Sequence, residues 1–202
     1  MEHNFFYDFT KVTGALPALA IVRPVIRYAG KKQHIRDGVL LMANHRSGID
    51  PITVCCTFWY RRPRFIATKE LFEKPVRRFF FSAMHCIRVD RDNFSMHTYR
   101  ETCRQLKDGK MVCIFPEGEI NRSEEAVKGF KKGAAVMAYE SGVPLLPVYI
   151  RPREHWYEST HVMIGEPVNL HAQYPERPSL DEWERIAEKL QGLEQDLAKK
   201  TR

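Results

Sequence analysis

"GVLLMANHRSGIDPITVCCTFWY", residues 38–60, is the stretch on which the fold turns. Val39 to Ala43 is an unbroken apolar run between Gly38 and the polar Asn44, as a strand buried on both faces requires. Ile52 to Tyr60 is apolar again and reads as a helix, although Thr53, Val54 and Thr57 are weak helix formers. Between the two elements lie His45 and Asp50, five residues apart, with Ser47 and Gly48 between them.

Residues five apart are not neighbours on a regular helix. If His45 and Asp50 meet, the turn between them is irregular, which Ser47 and Gly48 permit. Two readings are open. An aspartate that accepts from one imidazole nitrogen fixes the tautomer and leaves the other nitrogen as a base. That is the serine-hydrolase relay without its serine, the missing hydroxyl belonging to a substrate. Alternatively, Asp50 before Pro51 caps a helix with proline at its first position, and His45 only bonds a loop.

Outward from this stretch, strands and helices alternate. Strands are predicted at Arg64–Ala67, Ile87–Val89, Met111–Phe115, Val143–Ile150 and His161–Ile164. Helices are predicted at Ser95–Leu106 and at Gly129–Glu140, and a segment with Pro75 inside runs from Glu70 to about Met84. Ser179-Leu180-Asp181-Glu182 is a capping box that opens a long terminal helix. The alternation predicts an α/β fold, a mostly parallel central sheet flanked by helices. Sites in such sheets form where strands end, and "FPEGEINRS", residues 115–123, follows a strand as directly as His45 does. Gly118 lets backbone amides approach an anion, and Arg122 is suited to clamping phosphate oxygens.

The chain has 202 residues, enough for one domain with a sizeable core. Its formal charge of +7 points to an anionic partner: nucleic acid, a phosphorylated substrate, an acidic carrier or a membrane surface. The cations are clumped at Arg61, Arg62 and Arg64, at Arg77 and Arg78, at Arg88 and Arg91, and at Lys128, Lys131 and Lys132. No recognition helix or aromatic platform motif accompanies them, so nucleic acid is not expected. The five cysteines have no C-x-x-C spacing, and several lie in apolar stretches. They read as reduced thiols in a cytosolic setting. The absence of H-E-x-x-H and of a carboxylate cluster at ligand spacing gives no reason to expect a metal.

Phe5, Phe9, Val12, Leu16 and Leu19 recur at helical spacing, interrupted by Pro17, which predicts two short helices or a kinked one. Val12–Val22 is shorter than the ~20 residues that span a bilayer. With Arg23, Arg27, Lys31 and Lys32 following, the stripe suits a helix in the membrane interface, or one packed on the core. Phe79-Phe80-Phe81 and Trp156 read as core packing, and Lys128, Lys131 and Lys132 as a solvated helix start.

Four blocks together carry a resemblance. "NHRSGID" resembles the N-H-x-x-x-x-D motif of the glycerolipid acyltransferase family, the 1-acylglycerol-3-phosphate O-acyltransferases included. "IRVDRD" (87–92) resembles its aspartate-arginine block, "FPEGEINRS" its F-P-E-G block, and "GFKKGAAVMAYESGVPLLPVYI" (129–150) its lysine-glycine helix and V-P-x-x-P-V strand. They follow in the family's order from about Gly38 to Glu166. Two departures stand out: Met84-His85-Cys86 where a glycine is usual, and Glu119-Ile120-Asn121 before Arg122.

The resemblance implies transfer of a fatty acyl group from an acyl thioester to the sn-2 hydroxyl of 1-acyl-glycerol-3-phosphate, giving phosphatidic acid. It implies His45 as base, Asp50 as its orienting partner, and Arg91, Glu117, Gly118 and Arg122 at the glycerol-phosphate end. No cofactor is implied; the donor is acyl-coenzyme A or acyl-acyl carrier protein. It implies a membrane-binding segment over residues 1–32, a catalytic domain over 33–202, and peripheral attachment at the cytoplasmic face of the cell membrane. The rival readings are the same chemistry on another lyso-lipid or amino-lipid hydroxyl, and a non-catalytic basic peripheral membrane protein.

Overall fold

All five residues of β2 (Val39–Ala43) are fully buried, because β2 lies in the interior of a seven-stranded sheet. The computed structural model describes residues 5–32, 35–90 and 96–201. The other strands are β1 (Val25–Tyr28), β3 (Arg64–Thr68), β4 (Ile87–Val89), β5 (Met111–Ile114), β6 (Leu145–Ile150) and β7 (His161–Ile164), in the spatial order β1-β7-β6-β2-β5-β3-β4. Every pairing is parallel except β6 with β7. The expected mostly parallel α/β architecture is the one observed.

Alternation along β2 divides the core. Leu40 and Met42 pack with α4 (Met96–Lys107), α5 (Gly133–Ser141) and the terminal α7 (Leu180–Lys200), while Val39, Leu41 and Ala43 pack with α2 (Asp50–Thr57) on the other face. A short helix α6 (Leu170–Gln173) precedes α7, whose capping box forms between Ser179 and Glu182 as predicted. Near β3, a 3₁₀ turn (Lys69–Phe72) leads into α3 (Pro75–Ala83).

The structure departs from expectation in three ways. First, α1 (Phe5–Val22) is one 18-residue helix that runs through Pro17. Thr13 and Pro17 are both exposed, so the carbonyl that proline leaves unbonded faces outward, where it can be solvated. Both ends of the helix are fastened. The Tyr7 hydroxyl donates to the Pro63 carbonyl, Arg62 pairs with Asp8, and Arg153 donates to the Ile21 carbonyl. Second, Val25–Tyr28, reckoned above to the membrane segment, is an edge strand paired with β7. Its flanking cations hid a four-residue strand whose one exposed residue is Arg27. Third, α3 has no buried residue, and Phe79, Phe80 and Trp156 are exposed, so they are not core aromatics. Phe6 of α1 lies edge-on to Phe79 at 5.3 Å.

The core contains one oddity. Glu194 of α7 is wholly buried, and neither carboxyl oxygen has a hydrogen-bond partner among the described residues. Burial, with Glu117 adding repulsion, pushes this carboxyl well above the usual glutamate range. The folded chain keeps the proton where the unfolded chain releases it. Stability therefore declines as pH rises above the ordinary range, until the folded group itself ionises. The Glu194→Gln protein lacks this proton, and its plot of Tm against pH is expected to be flatter over that span. Equal slopes in thermal melts of the two proteins would show that Glu194 is ionised in the fold.

Candidate active site

The site begins where β2 ends. Asn44 donates from Nδ2 to the Ile150 carbonyl (2.9 Å) and accepts the Ile150 amide at Oδ1 (2.7 Å). This fixes the end of β2 to the end of β6. The chain then leaves the sheet through His45.

The turn from His45 to α2 is irregular, as contact at this spacing demands. It wraps around a single oxygen. Asp50 Oδ2 accepts the Arg46 and Ser47 amides, both at 2.7 Å, and lies 3.0 Å from His45 Nδ1. The helix cap is Ile49, with Pro51 in the first turn, so Asp50 caps the turn before the helix and not the helix. With an acceptor-only carboxylate at Nδ1, that nitrogen carries the proton and Nε2 is left as a free base. The His45 side chain is 18% accessible and that of Asp50 6%, so the base is reachable and its partner is not. The imidazole lies on Phe115, 4.2 Å between centroids and nearly parallel, and Phe115 lies in turn on Phe65.

The loop after β5 is laced to the same turn. Glu117 is 4% exposed. Its Oε1 accepts the His45 amide at 2.9 Å and its Oε2 the Lys128 amide at 3.3 Å. Burial raises the Glu117 carboxyl above its ordinary range, and the two amide bonds pull it back. On the other side of His45, its carbonyl accepts the Asn121 amide at 2.7 Å. Arg46 donates from Nη1 to the carbonyls of Ser123 and Glu125.

The structure thus brings His45, Asp50 and Glu117 together. Both Glu117 oxygens accept backbone amides, and through one of them it holds the peptide of His45 in place. Gly118 has φ +74°, and Lys131 lies over it: a Cβ there would stand 3.2 Å from Lys131 Nζ. Any larger residue would be strained and would crowd the ammonium. The Gly118 amide bonds the Phe115 carbonyl and is not offered to an anion. Lys131, assigned above to a solvated helix start, reaches over this turn instead. Arg122 is exposed on the same loop and makes no hydrogen bond or ion pair among the described residues. Arg91 lies outside the described residues; its neighbour Asp90 pairs with Lys69 at 2.6 Å.

On the β6 side, a cleft of about 270 Å³ reaches Ser47, Asp50 and Thr53 beneath Arg151 and Trp156. Glu154, His155 and Glu158 bring ligand-type atoms within 4.8 Å of one another on its exposed outer loop, a grouping not read from the sequence.

Residues 25–151 match the Acyltransferase family. The chain belongs to that family. Among its relatives is the 1-acyl-sn-glycerol-3-phosphate acyltransferase of Bacillus subtilis, 28% identical over 187 residues and covering 90% of both chains. The enzyme of the same name from Borreliella burgdorferi is 31% identical over 116 residues, 56% of this chain and 45% of that one. A solved structure, the 1-acyl-sn-glycerophosphate (LPA) acyltransferase PlsC of Thermotoga maritima, superposes with a TM-score of 0.67. It covers 97% of this chain and 80% of its own, at 24% identity, a likeness of fold. The protein is an enzyme of this acyltransferase family, and its mixed α/β fold is the one expected.

The two parts of the β5 loop are expected to separate in kinetics. Glu117→Ala releases the His45 and Lys128 amides, and should lower kcat on the order of 10²-fold through misplacement of the base, with little change in acceptor KM. Arg122→Ala should act chiefly on acceptor KM. Steady-state kinetics on both variants checks this; an unchanged kcat in Glu117→Ala would refute the positioning role.

Proposed function

We propose that this protein transfers a fatty acyl group from an acyl thioester to the sn-2 hydroxyl of 1-acyl-glycerol-3-phosphate, giving phosphatidic acid. The observation that carries the reading is the His45 Nδ1 to Asp50 contact at 3.0 Å, with Asp50 buried and the imidazole accessible. The printed names of the relatives above supply the acceptor.

In this mechanism Nε2 of His45 removes the proton from the acceptor hydroxyl, and Asp50 holds the resulting imidazolium. The hydroxyl oxygen attacks the thioester carbonyl directly. The tetrahedral intermediate collapses with loss of the thiolate, which takes the proton back from His45. The enzyme's own cysteines need not be acylated. Burial pushes the Cys55 thiol up to about 12 and that of Cys113 well above its ordinary value, which keeps both protonated and poorly nucleophilic. Arg122, Lys131 and, by resemblance, Arg91 are the candidates for the acceptor's phosphate. The donor is acyl-coenzyme A or acyl-acyl carrier protein. The cleft on the β6 side reaches Asp50 and the residues that follow His45. The chemistry needs no metal or cofactor.

His45→Ala is expected to lower turnover ~10²–10⁴-fold, the usual contribution of a general base, with an unchanged melting curve. The assay is purified protein with a panel of lyso-lipid acceptors, both donor types, and mass spectrometry of the product. Near-normal turnover in a folded His45→Ala protein would refute the mechanism, and a preference for another acceptor would redirect the substrate.

We infer that α1 lies in the interface of a membrane without crossing it, on the cytoplasmic face. Tyr7 and Val22 are buried against the body of the protein, while Phe5, Phe9, Val12, Leu16, Leu19 and Ile21 point outward. The helix is long and apolar enough to cross, but its fastenings at both ends hold it along the domain. The exposed Val76 and Phe79 beside Arg77 and Arg78 on α3 extend the same apolar and cationic footing. Val12 and Leu16 are 74% and 80% exposed. Val12→Glu with Leu16→Glu is therefore expected to abolish sedimentation with anionic vesicles while leaving Tm unchanged. Undiminished binding would refute the interfacial role, as would protease mapping that finds the termini on opposite sides of a sealed vesicle.

A further inference from the structure

At the end of the sheet opposite His45 lies a cavity of about 450 Å³. Its walls come from the starts of the strands. Arg61 and Arg62 precede β3 and Arg64 opens it, Gly109 and Lys110 precede β5, and His85 precedes β4. The first turns of α1 close it with Tyr7, Asp8 and Lys11. Met111 pairs with Val39 where β2 begins, and Ile114 with Met42 near its end. A strand's length, roughly 13 Å, therefore separates the cavity from the rim that carries His45.

The charge of this cavity is one-sided. Lys11, Arg36, Arg61, Arg62, Arg64 and Lys110 line it, and Asp8 is the one carboxylate among the described lining residues. Asp8 pairs with Arg62. Arg61 donates to the carbonyls of Ile35, Asp37 and Gly109. Those bonds satisfy its N–H groups and leave its charge in place; the Asp37 carboxylate, outside the lining, offsets part of it. Arg64 is only 9% exposed, so a guanidinium is built into the wall. Arg36 is exposed and makes no hydrogen bond or ion pair among the described residues. Cations gathered in a partly enclosed space repel one another more than in open water. The arrangement works against folding unless an anion joins it.

His85 adds a second observation. In Met84-His85-Cys86, the stretch that departs from the usual glycine, His85 has φ +54°, a backbone that glycine adopts without strain. The chain keeps an imidazole at the cavity wall in its place.

We propose that this cavity is a second anion site, distinct from the catalytic rim, and that it seats a phosphomonoester. Such a group carries about two negative charges at neutral pH. Its three oxygens suit arginine forks and ammonium groups together. The volume is that of a small-ligand pocket. Lys11 belongs to α1 and Lys110 to the start of β5, so a phosphate between them ties the first turns of the helix to the sheet. The phosphate belongs either to a soluble compound or to a lipid headgroup, and the test separates the two.

The test titrates the full-length protein with inorganic phosphate, with dioctanoyl phosphatidic acid below its micelle concentration, and with dioctanoyl phosphatidylcholine. The readouts are thermal melts and amide NMR at matched ionic strength. Phosphate at ten times its Kd is expected to raise Tm by about 3–6 °C over chloride, and to move the Lys11, Gly109 and Lys110 resonances. Arg36→Gln with Lys110→Gln is expected to weaken this binding about tenfold or more. Arg122→Ala, on the catalytic loop, should keep the response at Gly109 and Lys110. His85→Gly relieves the backbone, removes the imidazole and should weaken binding severalfold, which keeps the test open if the double variant does not fold. Tighter binding of phosphatidic acid than of phosphate, with phosphatidylcholine leaving these resonances unmoved, supports the site and assigns it to a lipid headgroup. Movement with phosphate and none with phosphatidic acid supports the site and assigns it to a soluble compound. Movement confined to Gly118 and Lys131, or equal responses in the wild-type protein and the cavity variants, overturns the proposal.

Discussion

One oxygen atom, Oδ2 of Asp50, organises the site. It gathers two successive amides and an imidazole nitrogen within 3.0 Å. The position of this carboxylate is set in turn by the first turn of α2. The turn between β2 and α2 closes on this oxygen from within, while Glu117 and Asn121 of the β5 loop hold it from outside. The same contact that closes the turn therefore selects the tautomer of the base. Structure and chemistry are not separable here: a change that loosens the turn also rotates the ring.

The sheet makes this possible. β2 is buried on both faces, and its end is tied to β6 through Asn44, so the backbone is rigid up to the residue before His45. Phe115, following β5, then supplies a flat apolar floor for the imidazole. The polar groups sit at a rim of strand ends, as expected for an open parallel sheet. Direct transfer fits such a rim, because both substrates can reach one nitrogen without an acylated side chain between them.

Much of the architecture was legible in the sequence, and for a physical reason. β2, β4 and β7 agree with their predicted limits; β2 is the clearest case, because a short apolar run buried on two faces leaves little choice of register. His45 and Asp50 were legible as a pair, but only the folded turn distinguishes a relay from a helix cap. β1 was hidden because an edge strand of four residues flanked by cations resembles the tail of an interfacial helix. α1 was expected to break at Pro17; tertiary fastenings at Tyr7, Asp8 and Ile21 override the local preference. The task of Glu117 was not legible, since it depends on an amide 72 positions away in sequence. Glu194 had a visible signal, a carboxylate on the apolar stripe of α7, though only the fold shows that it is wholly buried.

The stitching between the two loops has a kinetic consequence. The loop after β5 holds His45 by its amide, its carbonyl and the side chain of the next residue, through Glu117, Asn121 and the carbonyls that Arg46 reaches. A gate hinged in that loop would unhook the base every time it swung. The threshold at this rim is therefore a fixed sill and not a door.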